Sequence, residues 1–234
     1  ELVDDQIQLT VDQASYFQFA VDDVEQKVAH HNWTELAIGS AAYALRDDYD
    51  STVLTYMKGQ APSANISGSD SATATSDITS TSAGLDLGYD AGEISPLRLM
   101  ARAARLLDDQ NVPEDNRWFV AKPDFWEIMA DENSKLLDHD WSGDTDSKLR
   151  NGRVTDGLIR GFRCYKSNNM PSASSATNLA LWGHMSGTAT ASQIAKTEVI
   201  RSEMTFADKV RGMHLYGRKA LRTEALGVSY YIVD

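Results

Sequence analysis

The stretch NVPEDNRWFVAKPDFW, Asn111–Trp126, decides how the rest of the chain is read. It opens on a proline-and-acid turn. Trp118 and Val120 then fall on one side of an extended segment and Phe119 and Ala121 on the other, so both faces are apolar. Such a strand is covered on both sides, as inside a mixed sheet. Pro123 suits the first turn of a following helix, with Asp124 and Glu127 near its positive end and Phe125, Trp126 and Met129 as its buried stripe. The aromatics therefore face inward. They form a core and do not line a ligand site.

Upstream, Ser95 is the expected N-cap and Pro96 the first helical residue of a helix with the stripe Leu97, Met100, Ala104 and Leu107, ended by Asn111 and Pro113. Helix, turn, buried strand and helix make one α+β unit. Between 59 and 94 the composition changes: Gly59 to Leu97 holds no Lys or Arg, and Ser63 to Ser82 is about half Ser and Thr. That segment reads as a solvated polar loop, because it cannot bury enough apolar area to offset its own ordering.

Residues 22–58 have helical spacing through Val24, Val28, Leu36, Ala41, Leu45, Val53 and Met57. A continuous helix of that length would run roughly 50 Å, with Asn32 and Thr34 as the place for a break. Before it, Ile7, Leu9 and Val11, then Phe17, Phe19 and Val21, alternate with polar or small residues, which predicts a half-buried strand. No partner for it lies nearby in sequence.

Downstream of the acidic run Asp131 to Asp146, the sequence TDGLIRGFRCYKSNNMP, Thr155–Pro171, reads as two short strands with a bend. Gly157 and Gly161 bracket the first, and Phe162, Cys164 and Tyr165 make the second. A strand around Leu179, Leu181 and Trp182 follows. A polar helical stretch is expected near Gln193 to Met204, and a final β region contains Met213, Leu215, Tyr216, Val228, Tyr230 and Ile232.

Composition bounds the function. The chain has 234 residues, 42% hydrophobic, enough for a sizeable core. It has no apolar run of spanning length and no signal-peptide layout at its N-terminus. One cysteine, Cys164, excludes an internal disulfide framework and a cysteine-based zinc cluster. A net charge of -12 opposes tight binding to phosphate backbones. The chain begins at Glu1 without a methionine, which leaves processing or a longer parent open.

The order of parts resembles the major capsid proteins of tailed bacteriophages with the Hong Kong 97-type fold, and among them those of short-tailed phages. The resemblance runs through VPEDNRWFVAKPDFW, GLIRGFRCYKSNNMP and VRGMHLYGRKALRTEALGVSYYIV, in order along the chain. It implies an α+β fold with an extended loop, a long spine helix, a peripheral domain and an axial domain. By that likeness 1–21 is the return strand of the extended loop, 22–58 the spine helix and 59–94 the polar loop. Residues 95–205 are then mainly axial domain, and 206–234 peripheral strands. The family has an arm and an outgoing strand before the return strand, whereas almost nothing precedes Ile7 here. Either those residues are missing from this sequence, or the strand pairs with a neighbouring molecule. The link RTEAL after Arg222 also lacks the proline expected there.

The implied function is self-assembly, through pentamers and hexamers, into an icosahedral shell around a double-stranded DNA genome. The shell is formed in the host cytoplasm and becomes the virion capsid. The implied partners are other copies of the chain, with portal, scaffolding or decoration proteins; DNA is enclosed without sequence-specific contact. Two alternatives of other kinds are an encapsulin-like compartment shell and a secreted Ser/Thr-rich adhesion module.

An enzyme is not expected. P-loop, G-x-G-x-x-G, G-x-S-x-G and H-E-x-x-H motifs are all missing, and no cofactor is implied. The adjacent His30 and His31 point about 100° apart on a helix and suit a surface role better than a shared metal. His184 and Cys164 read as packing residues. Asp138, Asp140 and Asp144 have calcium-loop spacing, with Gly143 in place, but Leu149 stands where a bidentate Glu is needed. An acidic surface loop is the better reading. The candidate core comprises Trp118, Phe119, Val120, Phe125, Trp126, Gly157, Gly161 and Phe162. Candidate assembly contacts are Ile7, Leu9, Val11, Arg211, Arg218 and Arg222, with Lys209 and Lys219 completing a basic set suited to Asp47, Asp48 and Asp50 of another subunit. Asn32 and Asn65 stand in glycosylation sequons.

Overall fold

The computed structural model describes residues 6–22, 33–131, 158–171, 173, 177–203 and 205–233. In chain order these form β1 (Val11–Asp22), α1 (Trp33–Gln60), β2 (Ile66–Ser67), β3 (Ala74–Thr75), β4 (Gly84–Asp86), α2 (Pro96–Asp109) and β5 (Arg117–Ala121). There follow α3 (Pro123–Met129), β6 (Leu158–Ile159), β7 (Phe162–Lys166), β8 (Asn178–His184), β9 (Thr188–Arg201), β10 (Ala207–Ala220) and β11 (Leu226–Ile232). The chain divides into two compact units, Glu1–Val53 with Ala189–Lys219, and Leu54–Thr188 with Ala220–Asp234.

In the larger unit β5 lies parallel to β7 on one side and antiparallel to β8 on the other, inside a mixed sheet of order β3-β4-β11-β8-β5-β7-β6. One face of β5 buries Phe119 and Ala121, while Trp118 and Val120 on the other face are half-buried against a second apolar cluster with Leu179, Leu181 and Val228. Phe119 is ringed by Phe125 at 5.2 Å, Phe162 at 6.0 Å and Trp126 at 6.2 Å between centroids. Each fully buried aromatic removes enough apolar surface to contribute about 2–3 kcal/mol relative to exposure. Behind them lies the buried stripe of α2, Leu99, Met100, Ala103, Leu106 and Leu107.

The turn between α2 and β5 follows from local chemistry. Asn111 adopts φ 54°, Val112 N–H donates to Leu107 C=O at 3.0 Å and Asn111 N–H to Asp108 C=O at 2.9 Å, which is a Schellman C-cap with asparagine in the left-handed position. Arg117 then closes the turn from below. Although charged, it is buried, and it donates to the carbonyls of Pro113 at 2.8 Å and Val112 at 2.6 Å and to Asp108 Oδ1 at 2.6 Å. A buried guanidinium is tolerated only when its donors are matched in this way. On β11, Gly227 lets the Trp182 ring lie flat, since a Cβ there would sit 2.2 Å from it; the indole N–H donates to Ser229 Oγ at 3.0 Å.

Several expectations are corrected. The segment 59–94 is not a solvated loop. It contributes β2, β3 and β4, with β2 and β4 both parallel to β11, and it buries Leu85, Leu87, Asn65 and Ser67. Its small residues fit against a strand edge, and their burial comes from partners over a hundred residues away, not from their own periodicity. Gly161 is not core: it is exposed, at φ 81° beside Arg160 at φ 52°, and makes the tight turn between β6 and β7. Gly157 lies outside the described residues. The stretch expected to be a polar helix near Gln193 to Met204 falls mostly in β9, because Thr188, Thr190, Thr197, Val199 and Ile200 favour extended backbone and β10 supplies the partner. Lastly β10 and β11, grouped together by the sequence reading, belong to different sheets.

The smaller unit has a three-stranded sheet of order β1-β10-β9. The strand predicted from Ile7 begins at Val11, and it pairs antiparallel with β10 of the same chain: Phe17 opposite Gly212, Phe19 opposite Val210. In that sheet β1 is an edge strand, paired on one side by β10 of the same chain. The described part of the long helix begins at Trp33, and its 28 residues span about 42 Å. Ala37, Ala41, Leu45, Tyr49 and Val53 form its covered stripe, whereas Leu36 is 60% exposed. Tyr49 packs edge-on to Tyr216 at 5.0 Å and near His214 at 5.6 Å, and Asp48 accepts from Ser15 Oγ.

Candidate functional site

Among the described residues, the groups able to do chemistry are engaged in holding the fold. Cys164 lies fully buried on β7, and desolvation pushes its thiol up to about 12, so it remains protonated near neutrality. His184 ends β8 and accepts through Nδ1 from the Ser186 N–H at 3.1 Å, capping a turn. Asp77 is held below the usual carboxylate range by the backbone and hydroxyl of Thr79, with Arg98 and Arg102 adding to this, and it orders the Ser/Thr-rich segment locally. Lys122 Nζ donates to Asn178 Oδ1 at 2.9 Å, and Asn178 Nδ2 to Asp124 Oδ2 at 3.0 Å; the chain ties α3 to the start of β8. Among the described residues no three His, Cys, Asp or Glu side chains gather as metal ligands. Asp138, Asp140 and Asp144, like His30 and His31, lie outside the described residues.

The candidate assembly contacts divide. Ile7 and Val11 are about half exposed, at 51% and 49%, with Leu9 half-buried between them. Arg211 grips Glu198 of its own chain through Nε at 3.0 Å and Nη2 at 2.6 Å. Arg222 donates to the carbonyls of Gln110 at 3.2 Å and Asn111 at 3.4 Å, so its charge sits at the negative end of α2 in the same chain. Arg218 is half-buried on β10. On α1, burial and then the neighbouring Asp47 hold Asp50 above the usual carboxylate range, and Asp48 is already bonded to Ser15. An acidic-to-basic match between subunits thus has fewer uncommitted groups than the sequence implies.

What remains is surface shape. The sheet of the smaller unit has one face toward α1, carrying Phe17, Phe19, Val210, His214 and Tyr216, and one face that the described residues leave open. On that open face Tyr16 stands opposite Met213 and Gln18 opposite Arg211, with the backbone of Phe17 and Gly212 as a floor between the two rungs. Glu198 completes a shallow slot of about 380 Å³. Tyr16 is 81% exposed there, and Phe206, in the turn between β9 and β10, is equally exposed. Sequence reasoning named Arg211 but missed Tyr16, Met213 and Phe206. Their signal was a large apolar residue on the wet side of an alternating strand, or in a polar turn.

No family model and no curated protein matches the sequence. The fold does match. A chain from Mycobacterium phage Che8 aligns over 98% of this chain and 76% of its own length, at TM-score 0.71 and 26% identity. The capsid of the cyanophage P-SCSP1u aligns over 100% of this chain and 77% of its own, at TM-score 0.69 and 15% identity. The SrpI encapsulin complex of Synechococcus elongatus aligns over 97% and 73%, at TM-score 0.57 and 10% identity. The chain has the mixed α/β fold of phage capsid proteins.

Proposed function

We propose that this protein is the major capsid protein of a tailed bacteriophage, self-assembling through pentamers and hexamers into an icosahedral shell that encloses double-stranded DNA. The observation that carries the reading is the likeness to capsid chains over essentially the whole of this chain, at TM-scores of 0.69 to 0.71. On this reading the fold is of the Hong Kong 97 type. The α2–β5–α3 unit and its sheet form the axial domain around capsomer centres, α1 is the spine, and β1, β9 and β10 belong to the peripheral domain. Ile7, Leu9 and Val11 remain proposed contacts between copies. Arg211, Arg218 and Arg222 contribute through the surfaces they brace. Many modest contacts per subunit then suffice to hold a closed shell.

Its role is structural, its place the virion, and its assembly is proposed to occur in the host cytoplasm with portal, scaffolding or decoration proteins. The net charge of -12 suits a shell that must release its genome. Electron microscopy of the purified protein, with and without scaffold, tests the proposal: closed shells or ring-shaped capsomers are expected. A strictly monomeric species at high concentration under all salt conditions overturns it. The likeness to an encapsulin supports a second reading, a compartment shell. Particles that contain an enzyme and no nucleic acid would select it.

A further inference from the structure

The open slot on the sheet of the smaller unit has a defined chemistry. Its two walls are rungs two residues apart, so they stand about 7 Å from each other. That is twice the contact distance of about 3.5 Å between carbon surfaces, the gap that a single flat ring fills on both sides. One wall is Tyr16 with Met213, an aromatic face and a thioether, and both favour an aromatic neighbour. The other is Gln18 with Arg211, whose guanidinium is fixed in place by Glu198, so a ring inserted beside it gains a cation–π contact without ordering a mobile side chain. Lys209 stands on the next rung, opposite Ala20, and places a positive charge beyond the Arg211–Glu198 pair.

The same chain presents a ring to match. Phe206 lies 81% exposed in the turn between β9 and β10, where small polar residues are the rule. The turn is braced: Ser202 N–H donates to Ala207 C=O at 3.0 Å, Thr205 Oγ1 to Ser202 Oγ at 2.9 Å, and Arg201 pairs with Asp208 at 3.0 Å. Its one further described charge is the exposed Glu203, complementary to the rim at Lys209. Exposed single apolar residues are common, but one held on a braced hairpin end is pre-organised for docking.

We propose that Phe206 of one copy inserts into the slot between the Tyr16–Met213 and Gln18–Arg211 rungs of a second copy of this chain. Knob and slot are different surfaces, so the contact is head-to-tail: every added copy brings one of each, and the contacts close into a ring or a local cluster. The inference rests on the shell reading and names a contact within it. Glu203 is placed to face Lys209 of the receiving copy.

The test uses two full-length single-cysteine additions, Phe206→Cys and Met213→Cys, purified separately as subunits, mixed and only then co-assembled, oxidised and run without reductant. Native Cys164 is buried and does not compete. A disulfide-linked dimer is expected from the mixture alone. Adding Tyr16→Asp to the Met213→Cys protein lowers its yield by about tenfold, the equivalent of about 1.4 kcal/mol, whereas Tyr16→Phe keeps it. Dimers from Phe206→Cys by itself mean that tips meet tips, and overturn the inference. Shells seen by electron microscopy without the mixed cross-link overturn it too, while the shell reading stands. The mixed cross-link without shells supports the contact and sinks the shell. Neither shells nor cross-link sinks both.

Discussion

The two units of this chain solve the problem of stability differently. In the larger one, β5 is covered on both faces, and the aromatic cluster of Phe119, Phe125, Trp126 and Phe162 closes on itself. In the smaller one the described buried hydrophobics are only Val53, Ala207, Val210 and Tyr216, and a helix covers one side of a three-stranded sheet. Three strands and a helix make a marginal core. The larger unit buries a closed aromatic core, and among its described residues the smaller one leaves large apolar side chains such as Tyr16 and Phe206 exposed.

The largest expected effect is on the thick side of that contrast. Phe119→Asp places an unpaired charge in a fully buried site and should abolish folding, seen as insoluble protein and loss of near-UV circular dichroism. Trp118→Asp should be nearly as severe, because its half-buried ring bridges β5 and the second cluster. Soluble, shell-forming protein from either would break the comparison. Next comes Arg117→Met, which leaves the Pro113 and Val112 carbonyls and Asp108 without their donor. It should lower stability by about 2–4 kcal/mol in a denaturant titration, with the fold retained.

Alkaline pH gives an intermediate effect with a definite sign. The folded Cys164 thiol titrates near 12 against an ordinary 9.0, so its contribution is fully present below pH 9.0 and is lost as pH rises toward 12, because the unfolded chain ionises first. Burial raises the Tyr231 hydroxyl in the same direction. Cys164→Ala should therefore flatten the upper part of the stability curve measured between pH 8 and about pH 11. The smallest effect belongs to the thin unit: Tyr16→Asp should change the stability of the isolated subunit by less than about 0.5 kcal/mol. Hydrogen exchange sharpens the contrast further. Amides of β1 and β9 should exchange faster than those of β5 and β8 in free subunits, and slow on assembly.

The α2–β5–α3 unit was legible in the sequence because each of its features is local. Pro96 and Pro123 mark helix starts, Asn111 marks a helix end, and alternation within Arg117–Ala121 marks the strand. Where burial depends on distant partners, local pattern misleads. Asn65 and Ser67 look like loop residues and are buried because β11 lies beside them, and Gln193 to Met204 has helix-compatible polarity but is mostly paired as a strand. Nothing local marks Arg117 as buried, since it stands at the polar start of β5. Its signal was the need of a helix C-terminus for donors. The proposed assembly surface was half legible: the basic set on and just after β10 was visible, but Arg211 and Arg222 are engaged within the chain, and the exposed rings of Tyr16 and Phe206 are the stronger feature.

Asn65 gives the sequence's second sequon a consequence for anyone producing this protein. Its Nδ2 is fully buried and donates to the carbonyls of Glu224 at 2.7 Å and Leu226 at 2.9 Å, the two residues that lead into β11. Both amide hydrogens are thereby taken up. A secretory host would attach a glycan to that nitrogen while the chain was still emerging, long before residues 224–226 had been made. The sugar would then stand where the β11 backbone must come to rest. Shells intended as displayed or secreted particles will have to be made in a cytoplasm, or with Ser67→Ala, which removes the sequon and keeps the amide.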